Sequence, residues 1–255
     1  MKDHIKETWE RQAILYKESH WASWGDNFAI ALEIENIAQY IKENDNVLDV
    51  GCANGYSTFE QLKRKNIKIH GVDFSESMIS FAESRRKQIS NNNISFSVND
   101  VRKLNLPDNT FDLTYTTRVI INLPNWDDQI KGIEECIRVT KRGGIIILSE
   151  AFWEPLALLN SMRSLKNLTP LIEHDFNKYL KKTKLELFLI ERGYKFEVND
   201  FSSIYYLGSR FLRELVTKPE EYPGYSNPLN EIFYNIEKNF SGGGFGIQQA
   251  YIIYN

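Results

Sequence analysis

Cysteine and long apolar runs are scarce in this chain. Only two cysteines occur among the 255 residues, and Cys52 and Cys136 lie too far apart to indicate a disulfide framework. No apolar stretch approaches the ~20 residues that span a bilayer. The amino-terminal stretch MKDHIKETWERQ is too polar for a secretory signal. These features predict a cytoplasmic protein with reduced thiols.

An excess of basic residues is also missing. The formal net charge is −3, so the chain as a whole shows no electrostatic footprint for nucleic acid. The sequence contains no internal repeat, zinc-ligand spacing, Ser-His-Asp pattern or phosphate P-loop. With 42% hydrophobic and 25% charged residues, the composition is typical of a globular protein. We therefore expect no metal site and no nucleic-acid partner.

Predicted strands and helices alternate regularly in the first half of the chain. Apolar strands are predicted at 46–50, 67–72, 94–98, 111–115 and over "IIILSE", with helices near 55–65, 76–90 and 127–140. This alternation predicts an α/β fold with a parallel, doubly wound sheet and right-handed crossovers. We expect a Rossmann-like sheet of seven strands, mostly parallel with an antiparallel last strand, and a helical insertion after strand five.

The chain divides into four regions of a single predicted domain. Residues 1–45 form an amino-terminal helical segment, in which a helix begins at Asp26 as its N-cap. Residues 46–150 form the core, 151–192 the helical insertion, and 193–255 the carboxy-terminal strands that complete the sheet.

The stretch "VLDVGCANGYST", residues 47–58, places a glycine turn directly after a buried strand. Backbone amides at a strand-to-helix turn hold anions or approach a ligand closely. A dinucleotide fold asks for G-x-G-x-x-G, whereas Thr58 stands where the third glycine belongs. Asp73 ends the next strand, placed to accept ribose hydroxyls, and Asp100 ends the third, placed to meet an adenine amino group.

Four motifs in this order resemble the class I S-adenosylmethionine-dependent methyltransferases. They are "VLDVGCANGYST", "GVDFSESMI", "NDVRKLNLPDNTFDLTYT" and "CIRVTKRGGIIILSE", and together they cover roughly residues 45–150. The resemblance implies S-adenosylmethionine as cofactor and S-adenosylhomocysteine as product. Ala53 departs from the glycine common in this family and Arg142 from the common proline; we expect cofactor binding to survive both.

The resemblance also implies which residues bind the cofactor. Asp49 and the turn from Gly51 to Gly55 would face the methionine part, Asp73 the ribose, and Asp100 with Val101 the adenine. The full predicted set is Tyr16, Trp24, Asp49, Gly51, Cys52, Ala53, Gly55, Asp73, Phe74, Met78, Asp100, Val101 and Thr117. In this set Tyr16 and Trp24, near Asp26, belong to a tryptophan-rich segment that either closes over the cofactor as a lid or clasps the sheet.

The remaining chain is similar to a subgroup found in lipopolysaccharide and surface-polysaccharide biosynthesis. "TTRVIINLPNWDDQIKGIEE", "LLNSMRSLKNLTPLIEHDFNKYL" and "YYLGSRFL" carry that similarity. It implies O-methylation of a sugar and a histidine, His174, as general base. The subgroup's histidine precedes an asparagine; here Asp175 follows, so the role of position 175 stays open.

Several polar residues are candidates for acceptor chemistry, each with a structural alternative. Arg118 either binds a carboxylate or phosphate bidentately or pairs with a nearby acid. Glu150 serves as base or acceptor contact, or caps the next helix, and His174 is either a base or an ordinary surface or core histidine. The candidate acceptor-binding residues are Asn122, Asn160, Arg163, Tyr205, Tyr206 and Arg210, of which the tyrosines equally fit a packed aromatic stripe.

Other functions remain open at this point. A small-molecule methyltransferase acting on an amine or a ring carbon has the same motifs, and so has a non-catalytic protein that binds S-adenosylmethionine. An NAD-dependent oxidoreductase is disfavoured by the broken glycine pattern. The segment "TTRVII" lacks the N-P-P-Y type of motif that adenine-modifying enzymes place after strand four. The expected partner is therefore a small molecule or a glycan.

Overall fold

The computed structural model describes residues 2–89, 91–217, 225 and 227–255. Within these residues one sheet holds seven strands, in the order β3-β2-β1-β4-β5-β7-β6. The strands are β1 Asn46–Val50, β2 Lys68–Asp73, β3 Ile94–Val98, β4 Phe111–Thr117, β5 Thr140–Ala151, β6 Lys195–Asn199 and β7 Gln248–Tyr254. β7 runs antiparallel to both neighbours, β5 and β6, while β1 to β5 pair in parallel. The predicted fold class is confirmed.

Ten α-helices are present in the described part of the chain. They are α1 Lys2–Tyr16, α2 Asn27–Ala38, α3 Tyr56–Arg64, α4 Glu76–Ile89, α5 Trp126–Val139, α6 Trp153–Leu165, α7 Lys182–Glu191, α8 Ser203–Leu207, α9 Arg213–Val216 and α10 Leu229–Glu237. Short 3-10 turns occupy His20–Ala22 and Ile120–Asn122, and a π-helix at Gly208–Leu212 joins α8 to α9. None of the helices described is long and apolar enough to cross a membrane.

The centre of the sheet is buried on both faces. In β1 the four consecutive residues Val47, Leu48, Asp49 and Val50 are all buried. Because neighbouring side chains of a strand point to opposite faces, helices must cover both sides of β1. The carboxyl ends of the parallel strands therefore meet at one protected edge, where ligands of open α/β sheets bind.

The amino-terminal region packs on the core as a helix and a turn. Asp26 caps α2 as predicted, because its Oδ1 accepts a hydrogen bond from the Ala29 amide at 3.1 Å. On α1, Ala13 is buried together with Ala22 and with Met78 of α4. This contact lays α1 along α4, beside the carboxyl end of β2.

Two regions differ from a simple alternation of strands and helices. After β5 the predicted helical insertion consists of α6 and α7, separated by residues 166–181 without a helix. Residues 193–255, expected to supply strands, also contain α8, the π-helix, α9 and α10. The helices form because Tyr205, Ser209 and Arg213 recur every four residues and are all buried.

Candidate active site

The glycine turn after β1 approaches the end of β4 closely. Gly51 has φ +77°, and a Cβ atom there would lie 2.1 Å from Cγ2 of Val119. Its amide donates to the Val72 carbonyl at 2.7 Å, which ties the turn to β2. Only glycine combines this left-handed conformation with this close contact. The turn thus leaves backbone, rather than a side chain, at the edge of the sheet.

A cavity of about 560 Å³ opens beside this turn. It runs past the carboxyl ends of β1 to β4 and is covered by α1. Eight residues that the sequence predicts for cofactor binding line it: Gly51, Ala53, Asp73, Phe74, Met78, Asp100, Val101 and Thr117. Its volume lies in the range of pockets that enclose small molecules.

Asp73 projects from the end of β2 into the cavity wall. Its Oδ2 accepts a hydrogen bond from the Ala53 amide at 3.0 Å, and its Oδ1 accepts one from the Ser75 amide at 2.9 Å. Burial raises the pKa of this carboxyl to about 6. Each carboxylate oxygen retains a further lone pair, so Asp73 can accept hydroxyl hydrogens from a ligand while it holds the turn.

Asp100 lies at the far end of the cavity and is already paired. Its Oδ1 accepts from Nε of Arg102 at 2.8 Å, and its Oδ2 accepts from Nη2 of the same guanidinium. Arg102 also lies 3.7 Å from Asp128 and lines the cavity itself. Asp100, which is predicted to contact adenine, is therefore already in an ion pair with Arg102. The sequence did not indicate this ion pair.

The segment after β4 forms the opposite wall. Arg118 adopts a left-handed conformation with φ +56°. Two hydrogen bonds fix it: the Arg118 amide donates to the Ser149 carbonyl at 2.9 Å, and Asn122 Nδ2 donates to the Arg118 carbonyl at 2.6 Å. Both Arg118 and Asn122 line the cavity. A non-glycine residue held at positive φ stores strain, which is common at functional sites.

Two polar atoms on this wall lack protein partners. Thr117 Oγ1 and Asn122 Oδ1 are buried and form no hydrogen bond within the described residues. Buried polar groups almost always have a partner. Both residues line the cavity, so each keeps a hydrogen-bonding position beside it.

Glu33 of α2 was missed by the sequence analysis and completes this wall from behind. Its Oε1 lies 3.1 Å from Nε of Arg118. Burial raises the pKa of the Glu33 carboxyl to about 7, against the lowering effect of Arg118. The available signal was an acid inside an apolar helical pattern, flanked by Leu32 and Ile34, both buried.

Comparison with known proteins identifies the family. A methyltransferase domain family matches residues 41–205, which is most of the chain and includes the glycine turn, Asp73, Asp100 and the β4 segment. The chain belongs to this family of S-adenosylmethionine-dependent methyltransferases.

Relatives of this methyltransferase support the same family. An uncharacterized methyltransferase of Schizosaccharomyces pombe is 34% identical over 123 residues, covering 44% of this chain and 42% of that protein. A ubiquinone biosynthesis O-methyltransferase of Coxiella burnetii is 26% identical, covering 66% of this chain and 70% of its own. A SAM-dependent methyltransferase structure from Aquifex aeolicus shares the fold with a TM-score of 0.51 and 21% identity, covering 69% of this chain and 87% of that one. The matched segment thus spans less than half of the S. pombe relative.

Five predicted cofactor residues of the methyltransferase lie outside the cavity lining: Tyr16, Trp24, Asp49, Cys52 and Gly55. Asp49 is buried on β1 and its Oδ2 accepts from the Thr58 hydroxyl at 2.6 Å. Tyr16 packs with Trp9 against the α1–α4 contact, and Trp24 packs on Arg118 from behind the wall. In this structure they support the turn and its cover, and their direct contact with the cofactor stays a prediction.

Glu150 is fully buried beneath the β4 segment rather than exposed to the cavity. Its carboxylate accepts from the Thr116 hydroxyl at 2.7 Å and from the amides of Val119, Ile120 and Ile121 at 3.1–3.3 Å. Burial raises its pKa, while these hydrogen bonds oppose the rise. With four donors around it, Glu150 caps the 3-10 turn, while its role as base or acceptor contact stays a prediction.

His174 also lies away from the cavity. The side chain is exposed and its ring stacks on Phe176, with centroids 5.7 Å apart and an angle of 7°. Phe176 packs edge-to-face with Trp9, with ring centroids 6.0 Å apart. Of these three aromatic residues, Trp9 lines the cavity. Two rings therefore separate His174 from the cavity, and its role as base stays a prediction.

The predicted acceptor-binding residues of α6 hold the neighbouring chain. Asn160 donates from Nδ2 to the Leu171 carbonyl at 2.9 Å and accepts from the Leu171 amide at 2.8 Å. Arg163 donates to the Thr169 carbonyl and pairs with Glu214 at 2.8 Å. Both side chains thus anchor residues 166–181, and their role in acceptor binding stays a prediction.

Tyr205, Tyr206 and Arg210 form a buried cluster around Asp26. The Tyr205 hydroxyl donates to Asp26 Oδ1 at 2.6 Å, and Arg210 pairs with Asp26 Oδ2. The Arg210 guanidinium also lies over the Tyr206 ring, 5.3 Å from its centroid. None of the three residues lines the cavity, so their contacts fit the packed aromatic alternative, and acceptor binding by them stays a prediction.

Other residues of the cavity wall were not singled out from the sequence. They are Ile5, Lys6, Trp9, Ser23, Val50, Val98, Asn99, Arg102, Val119, Leu123 and Pro124. Beside them, Asn54 of the turn donates from Nδ2 to the carbonyls of Lys17 and Ser19 at 2.7 and 2.8 Å. The turn that faces the cavity is thus joined to the chain that follows α1.

Proposed function

We propose that this chain is an active methyltransferase that transfers the methyl group of S-adenosylmethionine to a small molecule entering beside the β4 segment. One observation carries the proposal. The glycine turn, Asp73 and the strained β4 segment with Arg118 and Asn122 share a single continuous cavity. A cavity that joins a cofactor wall to a polar wall is what a two-substrate transfer requires.

The residues at the cofactor end fit S-adenosylmethionine. Gly51 leaves room for close approach of the ligand, and Asp73 offers carboxylate lone pairs to ribose hydroxyls. Val98, Val101 and Phe74 supply apolar surface for a planar base. When bound, the cofactor supplies an electrophilic methyl group on a sulfonium.

The protein's part in the reaction is mainly positioning. The β4 segment, held by Glu150 and by Asn122, fixes an acceptor in line with the methyl group. The carboxylates that line the cavity, Asp73 and Asp100, lie at the cofactor end, and His174 lies outside. Among the residues that the structure describes, no base lines the acceptor end, which suits a nucleophile that has a free lone pair or is already ionised.

A wall of this kind favours an amine or an acidic hydroxyl over an unactivated sugar hydroxyl. The sugar hypothesis comes from the resemblance to the polysaccharide subgroup, and four of its candidate sugar contacts, Asn160, Arg163, Tyr205 and Arg210, bond to other residues of the protein. The named relative in ubiquinone biosynthesis acts as an O-methyltransferase, which supports a small-molecule acceptor for this chain.

The cofactor assignment is tested by calorimetry with S-adenosylhomocysteine. Asp73→Ala removes the ribose acceptor, and we expect an affinity loss of roughly tenfold or more, since buried charged hydrogen bonds contribute about 1.5–3 kcal/mol. Asp175→Ala is the matched control, because Asp175 is exposed. Wild-type protein that binds NAD but not S-adenosylhomocysteine would refute the proposal.

Transfer itself is tested with labelled S-adenosylmethionine and a panel of amines, phenols, quinols and free or nucleotide-linked sugars. We expect product with an amine or an acidic hydroxyl. Product with sugars alone would contradict the acceptor assignment, and tight cofactor binding without transfer to any acceptor would favour a non-catalytic protein.

A further inference from the structure

Arg118, at the acceptor end of the cavity, is paired differently from the other cationic side chains of the cavity wall. Three cationic side chains line the cavity: Lys6, Arg102 and Arg118. Lys6 lies 3.6 Å from the exposed Glu76, and the Arg102 fork is taken up by Asp100. Arg118 differs, because its acidic partner Glu33 meets only Nε, at 3.1 Å.

The two outer nitrogens of Arg118, Nη1 and Nη2, have N–H groups that no described residue accepts. Neither Nη1 nor Nη2 hydrogen-bonds to any residue in the described ranges, and the side chain is 16% exposed while it lines the cavity. These two nitrogens form the edge of the guanidinium that matches the paired oxygens of a carboxylate or phosphate. The geometry leaves an oxyanion-binding edge available at the acceptor wall.

The guanidinium plane is fixed before any ligand arrives. The Trp24 ring lies against it, with its centroid 4.5 Å from Cζ, and Trp24 Nε1 donates to the Tyr225 hydroxyl at 3.0 Å. The backbone of Arg118 is held at φ +56° by Ser149 and Asn122. A pre-oriented fork loses little entropy on binding an anion.

Arg118 and the glycine turn have different neighbours. Val119 packs against Gly51, whereas the Arg118 guanidinium lies against Trp24 and Glu33. These contacts place the guanidinium beside the amino-terminal region, whereas we assign the turn to the methionine part of the cofactor.

We propose that Arg118 binds an anionic group of the methyl acceptor, a carboxylate or a phosphate, and that Glu33 behind it is a counter-charge that weakens this binding. This inference rests on the proposed placement of cofactor and acceptor. It narrows the acceptor to a small molecule that carries an oxyanion in addition to its nucleophile. Asn122 Oδ1, unpaired on the same wall, then accepts from a donor of that molecule.

The test uses full-length protein saturated with S-adenosylhomocysteine and titrated with inorganic phosphate and with acetate. Wild-type protein is expected to bind at least one of them saturably, and Arg118→Gln to weaken that affinity about tenfold or more. Glu33→Gln is expected to tighten it several-fold, because the counter-charge behind the guanidinium is gone. A purely structural ion pair predicts the reverse for Glu33→Gln, namely loss of binding.

Two further variants keep the result interpretable. Arg118→Gln with Glu33→Gln leaves no unpaired buried charge and is expected to fold and still to lack the anion site. Arg142→Gln is the matched control for loss of a positive charge, because Arg142 is exposed and lies outside the cavity lining.

Three outcomes overturn the inference. Loaded wild-type protein that binds neither anion has no such site, and equal anion affinity in wild type and Arg118→Gln places it elsewhere. A fall in S-adenosylhomocysteine affinity in Arg118→Gln, with unchanged affinity for 5′-methylthioadenosine, would assign Arg118 to the cofactor carboxylate instead. Failure of wild-type protein to bind S-adenosylhomocysteine at all contradicts the proposed function, which is a separate result.

Discussion

At the scale of single residues, Ala53 combines a strained backbone conformation with a packing contact of its methyl group. Its φ is +48°, a conformation that costs alanine about 1 kcal/mol relative to glycine. Ala53 packs against the buried cluster of Ala13, Ala22 and Met78 under α1. The departure from glycine noted in the sequence is therefore compensated by contacts of the covering helix, which no local motif encodes.

Replacing Ala53 with glycine separates these two effects. Ala53→Gly is expected to relieve backbone strain, leaving the free energy of unfolding within about 1 kcal/mol of wild type. Loss of the methyl contact is expected to increase amide hydrogen exchange in α1. Exchange measured by mass spectrometry tests this, with α5 as internal reference; unchanged protection of α1 would show that the methyl group does not hold it.

Glu33 gives the protein a specific dependence of stability on pH. Its carboxyl has a pKa of about 7 in the folded protein, above its ordinary value of 4.5. Burial raises this pKa most, Arg118 lowers it, and the nearby carboxylates of Asp26 and Glu150 raise it further. The stabilisation from the neutral form is complete below pH 4.5 and is lost as the pH rises through 7.

Glu33→Gln is expected to remove this loss. Between pH 5 and 8, the free energy of unfolding of the wild type should fall by about 3 kcal/mol more than that of the variant. Urea titrations at several pH values measure the difference. Parallel curves for the two proteins would mean that Glu33 keeps an ordinary pKa in the fold.

At the scale of elements, α6 anchors the irregular segment that follows it. Asn160 makes a reciprocal pair of hydrogen bonds with Leu171, and Arg163 holds Thr169. The sequence places Asn160 and Arg163 correctly on one helix face. It could not show that their partners come from the next ten residues rather than from a substrate.

Asn160→Ala distinguishes anchoring from acceptor binding. Loss of the two bonds is expected to lower the free energy of unfolding by about 1–3 kcal/mol and to speed proteolysis within residues 166–181. Ser164→Ala, at an exposed position of the same helix, is the control. A variant with wild-type stability but a raised KM for the acceptor would restore the acceptor role.

The sequence predicts the elements from β1 to β5 well, and those after β6 poorly. The former follow from local alternation of apolar strands and amphipathic helices, such as α5, where Ile133 and Ile137 are buried. Helices α8 and α10 instead meet through long-range polar contacts, such as Glu237, which accepts from the Tyr205 amide at 2.8 Å. Contacts of that kind leave no periodic signal.

The residues of the candidate site also fall into those that the sequence can predict and those that it cannot. Gly51, Asp73 and Asp100 were predictable because motif order places them at the ends of adjacent parallel strands. Glu150 and His174 were not, because a carboxylate or an imidazole has the same one-letter signal whether it faces a ligand, caps a turn or stacks on Phe176.

At the scale of the whole molecule, residues 24–36 are bound to the carboxy-terminal third. Asp26 meets Tyr205 and Arg210, Tyr234 donates to Glu35 at 2.8 Å, and Asn199 donates to Asn36. These bonds join residues more than 150 positions apart, so α2 and the β6–β7 region are expected to unfold together.

Asp26→Asn tests that coupling. It leaves the Arg210 guanidinium buried without its counter-charge, and we expect a loss of about 3–5 kcal/mol in the free energy of unfolding. Glu18→Gln, at an exposed position, is the control. Unfolding followed by tryptophan fluorescence and by circular dichroism should shift in concert; two separate transitions would indicate independent regions.

Asn54 has a consequence for turnover. Its side-chain amide holds the carbonyls of Lys17 and Ser19, so the 3-10 turn at His20–Ala22 stays with the glycine turn when α1 moves. Lys17, directly after α1, has a φ of +48°, so the direction of the chain changes between α1 and this turn. We therefore expect product release to need a movement of α1 about Lys17 only, with the segment after β4 left in place.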